Sequence, residues 1–419
     1  MNEAQFGELA GWLARMGLAG EDETSIVTGF CERAVRAGLP LARGQALIDT
    51  LHPVHEGRLF RWGHEPEVAA FVEYGRTREV EALGPPGAAD DEAAAKKAQE
   101  IARWRRSPFY RMLETGDSLL RRRLTTDTEA EFSVFPELRA AGLTDYVAII
   151  NRFAAEGAMG DMDCVYSSWI TKAPEGFEPS QVAALERIVP FLALAIKSVS
   201  LARVAGTLME TYLGRDAGKR VLSGRIMRGV ADRIDAVLWF SDLRGFTKIT
   251  DTTPEHVIPL LNGYADIIVS AIHESGGDVL KLMGDGILAI FTESGRAEAC
   301  RSALDAAIAA RQGVASLNQR RAAAGRPVTD IYLGLHVGEV FYGNVGSMER
   351  LDFTVIGPAV NEVSRIAAMC RSVDQPILVS DAFAALGNNR GRLISVGRYA
   401  LRGVGRAQEL FTLDPETEL

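Results

Sequence analysis

The chain has 419 residues, more than one core of ordinary size takes up, so two or three domains of about 100–200 residues are expected. Its composition is globular, 47% hydrophobic and 24% charged. The longest unbroken apolar run, Ile188 to Ile196, falls far short of the ~18–20 residues of a membrane helix, which predicts no membrane span. A net charge of −9, from 46 basic against 55 acidic residues, argues against nucleic acid as a partner, because phosphate backbones are captured by excess positive charge.

The N-terminal stretch MNEAQFGELAGWLARMG places acids before its apolar positions and lacks the basic flank of a signal peptide, which predicts a cytoplasmic protein. Cys31, Cys164, Cys300 and Cys370 are scattered without CxxC spacing, the pattern of reduced thiols rather than of a disulfide frame or zinc site. In the first hundred residues, Phe6, Leu9 and Leu13 recur at helical spacing, as does the run IVTGFCERAVRAGL; the expectation is a mostly helical layer. Residues 84–91, GPPGAADD, predict a loop before a helix over AAAKKAQEIARWRR. DYVAIINRF and CVYSSWITK then read as strands, followed by a turn at Pro174 to Gly176 and a long helix from about Ser180 to Leu213. Strands closed by a long helix predict a small α+β sensor domain. In that helix Leu194, Leu201 and Leu208 lie seven apart with Val204 at a d-like position, while Lys197 and Thr211 fill the other d-like positions. Two readings stay open: a short dimer-forming coil, or a helix packed on its own domain.

From Asp235 the rhythm changes. DAVLWFSD, DVLKLMGDG, ILAIFT, DIYLGLHVGEVFYG, DFTVIG, PILVS and RYALRG are short and strand-like, separated by the helical stretches that begin PEHVIPLL and RAEACRSA. This is a mixed α/β domain of about 180 residues.

Two carboxylates stand out there. Asp242 in WFSDLRGFT and Asp285 in LKLMGDGIL each end an apolar strand before a Gly-containing turn, a place where hard divalent cations can be shared with substrate phosphates. Either alone reads first as a turn former. In SDLRGFT, Gly245 lets successive backbone N–H groups face one concavity, and Phe246 with Thr247 opens a helix whose positive end suits an anion. The stretch GRDAGKR at 214–220 is no Walker loop, since its glycines are one residue too close and Arg stands where Ser or Thr should be. In DFTVIGPAVNEVSR, Asn361 and Arg365 stand four apart, hence on one helix face.

Together these residues resemble the class III adenylyl and guanylyl cyclases. The likeness runs from about Asp235 to Leu413 and takes in FSDLRGFT, KLMGDGILA, GLHVGEVFYGNVG, FTVIGPAVNEVSR and YALRGV in register. It implies a ferredoxin-like α/β sandwich, so the expected architecture is α+β: a helical, GAF-like regulatory domain over 1–200, a helical linker over 201–232 and the catalytic domain over 233–419. The GAF-like resemblance rests on the strand pattern, glycine placement and the phrase SSWITKAPEGFEPSQ.

The resemblance implies that Asp242 and Asp285 hold two Mg2+ or Mn2+ ions, that Lys281 and Thr354 read the purine, that Asn361 orients the ribose and that Arg365 stabilises the transition state. Gly245, Phe246 and Thr247 would cradle the triphosphate. Arg402 falls where the family usually has a Lys on the terminal phosphates, which keeps the charge and changes the geometry. Lys281 can only donate and Thr354 can accept, which matches adenine N1 and its 6-amino group; guanylyl members usually carry Glu and Cys there. Thr in place of the more usual Asp resembles the subgroup often stimulated by bicarbonate. The expected activity is ATP to 3′,5′-cyclic AMP and pyrophosphate in a homodimer with composite sites, controlled by an unknown small-molecule or protein signal at the N-terminal domain. The alternatives are a catalytically silent regulatory dimer of cyclase fold, and a cyclase using GTP or a pyrimidine nucleotide.

Overall fold

A computed structural model describes residues 1–75, 98–99, 101–128, 131–154, 158–160, 162–292, 295–387 and 389–415. The chain divides into two compact units, the first comprising Met1–Ala82 and Pro86–Leu208, the second Met209–Leu419.

The first unit opens with α1 (Glu3–Ala19), started by a capping box between Asn2 and Gln5, and α2 (Glu23–Arg36), capped by Asp22. The mostly helical expectation then fails. Residues 43–75 form three strands, β1 (Arg43–Asp49), β2 (His55–Trp62) and β3 (Phe71–Gly75). Their outward positions are charged or polar, Arg43, Gln45 and Arg61 among them, so no apolar alternation marks them. After α3 (Pro108–Thr115) and β4 (Leu119–Arg123) come α4 (Phe135–Ala140), β5 (Asp145–Arg152) and β6 (Cys164–Thr171). The six strands form one antiparallel sheet in the order β3-β2-β1-β6-β5-β4. Period-two alternation splits its side chains: Val147, Ile149, Val165 and Trp169 join the core under α1 and α2, while Tyr146, Ala148, Tyr166 and Ile170 join a second core with Phe109, Met112 and Phe135. The expected loop at 84–91 and the first part of the helix after it lie outside the described residues; residues 101–105 are helical.

The helix α5 (Pro179–Leu213) is continuous over 35 residues. By length and composition it could cross a membrane, but half of its most apolar window is buried, and Leu185, Ile188, Leu192, Ile196 and Val199 belong to the first core. Of the heptad leucines, Leu201 and Leu208 pack partly against that core, Val204 is buried in it and Leu194 is 65% exposed. They do not form one exposed seam. Glu23, buried at 1% exposure, is held by Arg203 at 2.7 Å and Ser200 Oγ at 3.1 Å, so its charge enters the interior paired.

In the second unit α6 (Arg215–Leu222) precedes β7 (Ala231–Leu243), α7 (Phe246–Thr252), α8 (Val257–Glu274), β8 (Asp278–Met283), β9 (Gly286–Phe291) and α9 (Arg296–Ala323). Then come β10 (Ile331–Gly346), β11 (Leu351–Ile356), α10 (Pro358–Val373), β12 (Ile377–Ser380), α11 (Asp381–Ala384), β13 (Leu393–Tyr399) and β14 (Gln408–Leu413). The sheet order is β13-β14-β12-β10-β7-β9-β8, with β11 paired to β10. The run RYALRG is strand only to Tyr399, and β14 goes beyond the expected strands. Trp239, Phe291 and Tyr264 anchor the core between the sheet and α8 and α9. α10 seats closely on β10 because Gly334 faces it: a Cβ there would lie 2.7 Å from Ala367 N. All four cysteines are free and buried.

Candidate active site

Asp242 lies one residue from the end of β7, where it stands opposite Tyr332 of β10. Asp285 sits in the tight turn between β8 and β9, beside Gly284 at φ 66°. The turn is moored to β7, since Leu243 N donates to Asp285 Oδ2 at 3.3 Å. The two carboxylates are therefore neighbours. Burial, and next the charge of Asp285, push the Asp242 carboxyl up to about 6, with Arg371 opposing. Asp242 Oδ1 is buried and meets no hydrogen-bond donor. A desolvated carboxylate oxygen without a donor, beside a second carboxylate, is a fitting donor set for a hard divalent cation. No group of three or more His, Cys, Asp or Glu side chains gathers among the described residues, so substrate phosphate and backbone oxygens would have to complete the coordination.

Immediately after β7, Gly245 adopts φ 68° and caps α7, which begins at Phe246 and Thr247. Phe246 packs partly against the core, and Thr247 is exposed. Arg244 N donates to Asp330 O at 2.8 Å, which fixes the turn beside Asp242.

Lys281 projects from β8 and pairs with Asp352 of β11. Thr354 lies two residues on, hence on the same side of β11 as Asp352, and stands opposite Gly343 of β10. Asp352 was not among the residues singled out from the sequence; only its place two before Thr354 on a strand signalled it. A cavity of about 430 Å3 has Lys281, Asp352 and Phe353 in its wall, together with Tyr212 and Gly214 from the linker end.

Asn361 and Arg365 lie one turn apart on α10, Asn361 exposed and Arg365 half-buried. The loop after β13 approaches Arg365, for a Cβ on Gly403 would lie 3.3 Å from Arg365 Nη2. Arg402, next to it, is exposed. The structure thus brings Asp242 to Asp285, Lys281 to Asp352 on the strand that carries Thr354, and the Arg402 loop to Arg365. Asp242 and Thr354 are not brought together along β10, because Asp242 stands opposite Tyr332 near its start and Thr354 opposite Gly343 near its end.

Residues 230–414 match the model of the adenylate and guanylate cyclase catalytic domain. An uncharacterized protein of Mycobacterium tuberculosis is 31% identical over 206 residues, 48% of this chain and 36% of that protein. An adenylate cyclase of Anabaena cylindrica is 34% identical over 159 residues, 37% of this chain and 31% of its own. Among solved structures, the adenylyl cyclase CyaB of P. aeruginosa is 27% identical, covering 45% of this chain and 99% of that one, with a TM-score of 0.41. The matched part spans about a third of the length of these curated relatives. Residues 230–414 are thus similar to the catalytic domains of nucleotidyl cyclases. More particularly, they match the model shared by adenylyl and guanylyl cyclases.

Proposed function

We propose that the protein is an adenylyl cyclase that converts ATP to 3′,5′-cyclic AMP and pyrophosphate, in a homodimer whose active sites combine residues of both chains, under control of the first unit. The observation that carries the reading is the Asp242–Asp285 pair, with a buried Asp242 oxygen that nothing in the chain satisfies. Asp242 and Asp285 would hold two Mg2+ or Mn2+ ions; when bound, these supply neutralisation of phosphate charge and a lowered pKa for the 3′-hydroxyl.

Every other contribution belongs to the chain. Arg365 stabilises negative charge on the α-phosphoryl oxygens, the kind of contact worth ~10³-fold or more in phosphoryl transfer. Asn361 holds the sugar so that the 3′-oxygen stays in line with the departing pyrophosphate. Lys281 donates to adenine N1, and the Thr354 hydroxyl accepts from the 6-amino group. Asp352 keeps Lys281 extended along β11. Gly245, Phe246 and Thr247 flank the phosphates, and Arg402 meets their terminal end.

The homodimer is supported by an apolar surface on the β10–β11 hairpin, where Phe341, Val345, Met348, Leu351 and Ile356 are all exposed; such patches mark contact surfaces. The first unit is proposed to be the GAF-like sensor and the protein to be cytoplasmic. The deciding experiment incubates purified protein with Mn2+ and each nucleoside triphosphate in turn, resolving products by chromatography. Cyclic AMP from ATP, with little product from GTP or pyrimidine nucleotides, is expected; no cyclic product from any of them would refute the reading.

A further inference from the structure

The first unit contains a cavity that plays no part in nucleotide chemistry. It opens on the face of the sheet that carries Tyr146 and Ile170, and encloses about 390 Å3, within the roughly 300–1000 Å3 of small-molecule sites. One side of its wall is aromatic, formed by Trp104, Phe109 and Tyr146. The other carries the guanidinium groups of Arg43, Arg61 and Arg103 against the carboxylates of Glu65 and Glu137.

The charges do not cancel. Arg43 is buried and spent on an ion pair with Glu65. Arg61 donates to Ala69 O at 3.3 Å, and among the described residues neither Arg61 nor Arg103 has an ion-pair partner. Burial, then the repulsion of Arg103, pushes the Arg61 guanidinium down, with Glu137 opposing. His64 is likewise driven down by burial and by Arg43 and Arg61, so it stays neutral near pH 7. The wall is left with one positive charge in excess. Its floor holds Ser168, fully buried on β6, whose Oγ has the Tyr146 hydroxyl as its side-chain neighbour and no hydrogen bond of normal geometry. Alternation along β6 places it on the same face as Tyr166 and Ile170, and it lines the cavity. Arg61 and Arg103 repel one another, and one anion between them relieves that repulsion.

We propose that this cavity binds a small aromatic monoanion, its carboxylate at Arg61 and Arg103 within reach of Ser168, and its ring among Trp104, Phe109 and Tyr146. The volume far exceeds that of an inorganic anion, and the aromatic wall offers such an ion nothing. A single negative charge matches the single excess positive one.

The test is calorimetric titration of the full chain with benzoate, 1-naphthoate and indole-3-acetate, each beside its neutral amide and beside inorganic phosphate. At least one acid should bind saturably at one site per chain, at least about tenfold more tightly than its amide and than phosphate. Arg103→Gln should weaken the acid about tenfold and leave the amide unchanged. Ser168→Ala should weaken the acid, because it removes a hydroxyl from the cavity floor, with a melting curve confirming that the variant is folded. No saturable binding by any acid, equal binding of acid and amide, phosphate binding as tight as the acids, or unchanged affinity in both folded variants would each overturn the proposal. Binding is the readout, so the result is independent of whether the chain makes cyclic AMP.

Discussion

Asp242 is ionised at neutral pH against its surroundings, because burial and the neighbouring Asp285 both favour its protonated form and raise it to about 6. A carboxyl raised on folding contributes stability that is whole below its unfolded value near 3.8 and is lost as pH rises through about 6. Asp242→Asn removes that loss. In metal-free buffer its melting temperature should match the parent near pH 4 and exceed it by a few degrees above pH 7, while cyclase activity falls on the order of 10²-fold or more, the scale of losing one electrostatic stabiliser. Mn2+ should narrow the gap by raising the parent alone. Melting curves across pH check the sign; a gap that closes rather than opens between pH 4 and 7 contradicts it. Lys281 poses the opposite case, since its partner Asp352 is 41% exposed and such a pair adds little stability. What Asp352 supplies is position. Asp352→Asn frees a long side chain, at an ordering cost of about 1–2 kcal/mol, so KM for ATP should rise about tenfold with kcat less affected and the melting temperature unchanged. Steady-state kinetics separates this from a structural role, which would move the melting temperature as well.

The last turn of α5 and the start of α6 meet the catalytic sheet at β8. Gly214, at φ 90°, passes so close to the Val279 carbonyl that any Cβ would collide with it. Arg215 N and Asp216 N then donate to the Asp278 carboxylate at 3.1 and 3.2 Å. The linker is thereby clamped to β8 three residues before Lys281. Inserting one residue after Leu208 rotates the rest of α5 by ~100° and should change the cyclase rate strongly, since a misplacement of about 1 Å can cost ~10²-fold. Seven residues nearly restore the phase and should change it less. Equal rates for both insertions and the parent, in chains whose dimerisation is checked by light scattering, would make the linker a passive tether. Legibility follows the same physics. β5, β6, β7 and β9 could be read because core-facing residues dominate them, and α8 and α9 because helical periodicity is long. β1 and β2 could not, because Arg43, Gln45 and Arg61 face a cavity rather than a core, and their polar positions break the pattern that reveals strands. Asp242, Asp285 and Arg365 stood in short motifs bounded by glycine, whereas Asp352 has no local mark, and its meaning comes from a lysine 71 residues away in sequence.

At the scale of the whole molecule, the sheet sets Thr354 apart from Asp242, a separation that the proposed composite site would bridge with a second chain. Asp242 and Asp285 cluster where β7 ends, while Thr354 stands at the far end of β10, beyond the stretch that pairs with the end of β7. The exposed apolar side chains Phe341, Val345, Met348, Leu351 and Ile356 lie on the same hairpin as Thr354. Covering that hairpin with a second copy would remove them from water, and a two-fold axis would make the two proposed composite sites equivalent. Two consequences follow for mixtures of variants. Asp242→Ala and Arg365→Ala chains should each be inactive alone, since every site in either homodimer lacks one essential group. Co-expressed with different affinity tags and purified as mixed dimers, they should regain up to about half the parent rate per dimer, because one of the two composite sites then carries both intact groups. The comparison needs a control in which both substitutions are placed in the same chain and paired with a wild-type partner. In that dimer each of the two sites contains one damaged half, so no activity is expected despite a full wild-type chain being present. Activity in the control, or none in the verified mixed dimer, would mean that each chain holds a complete site of its own.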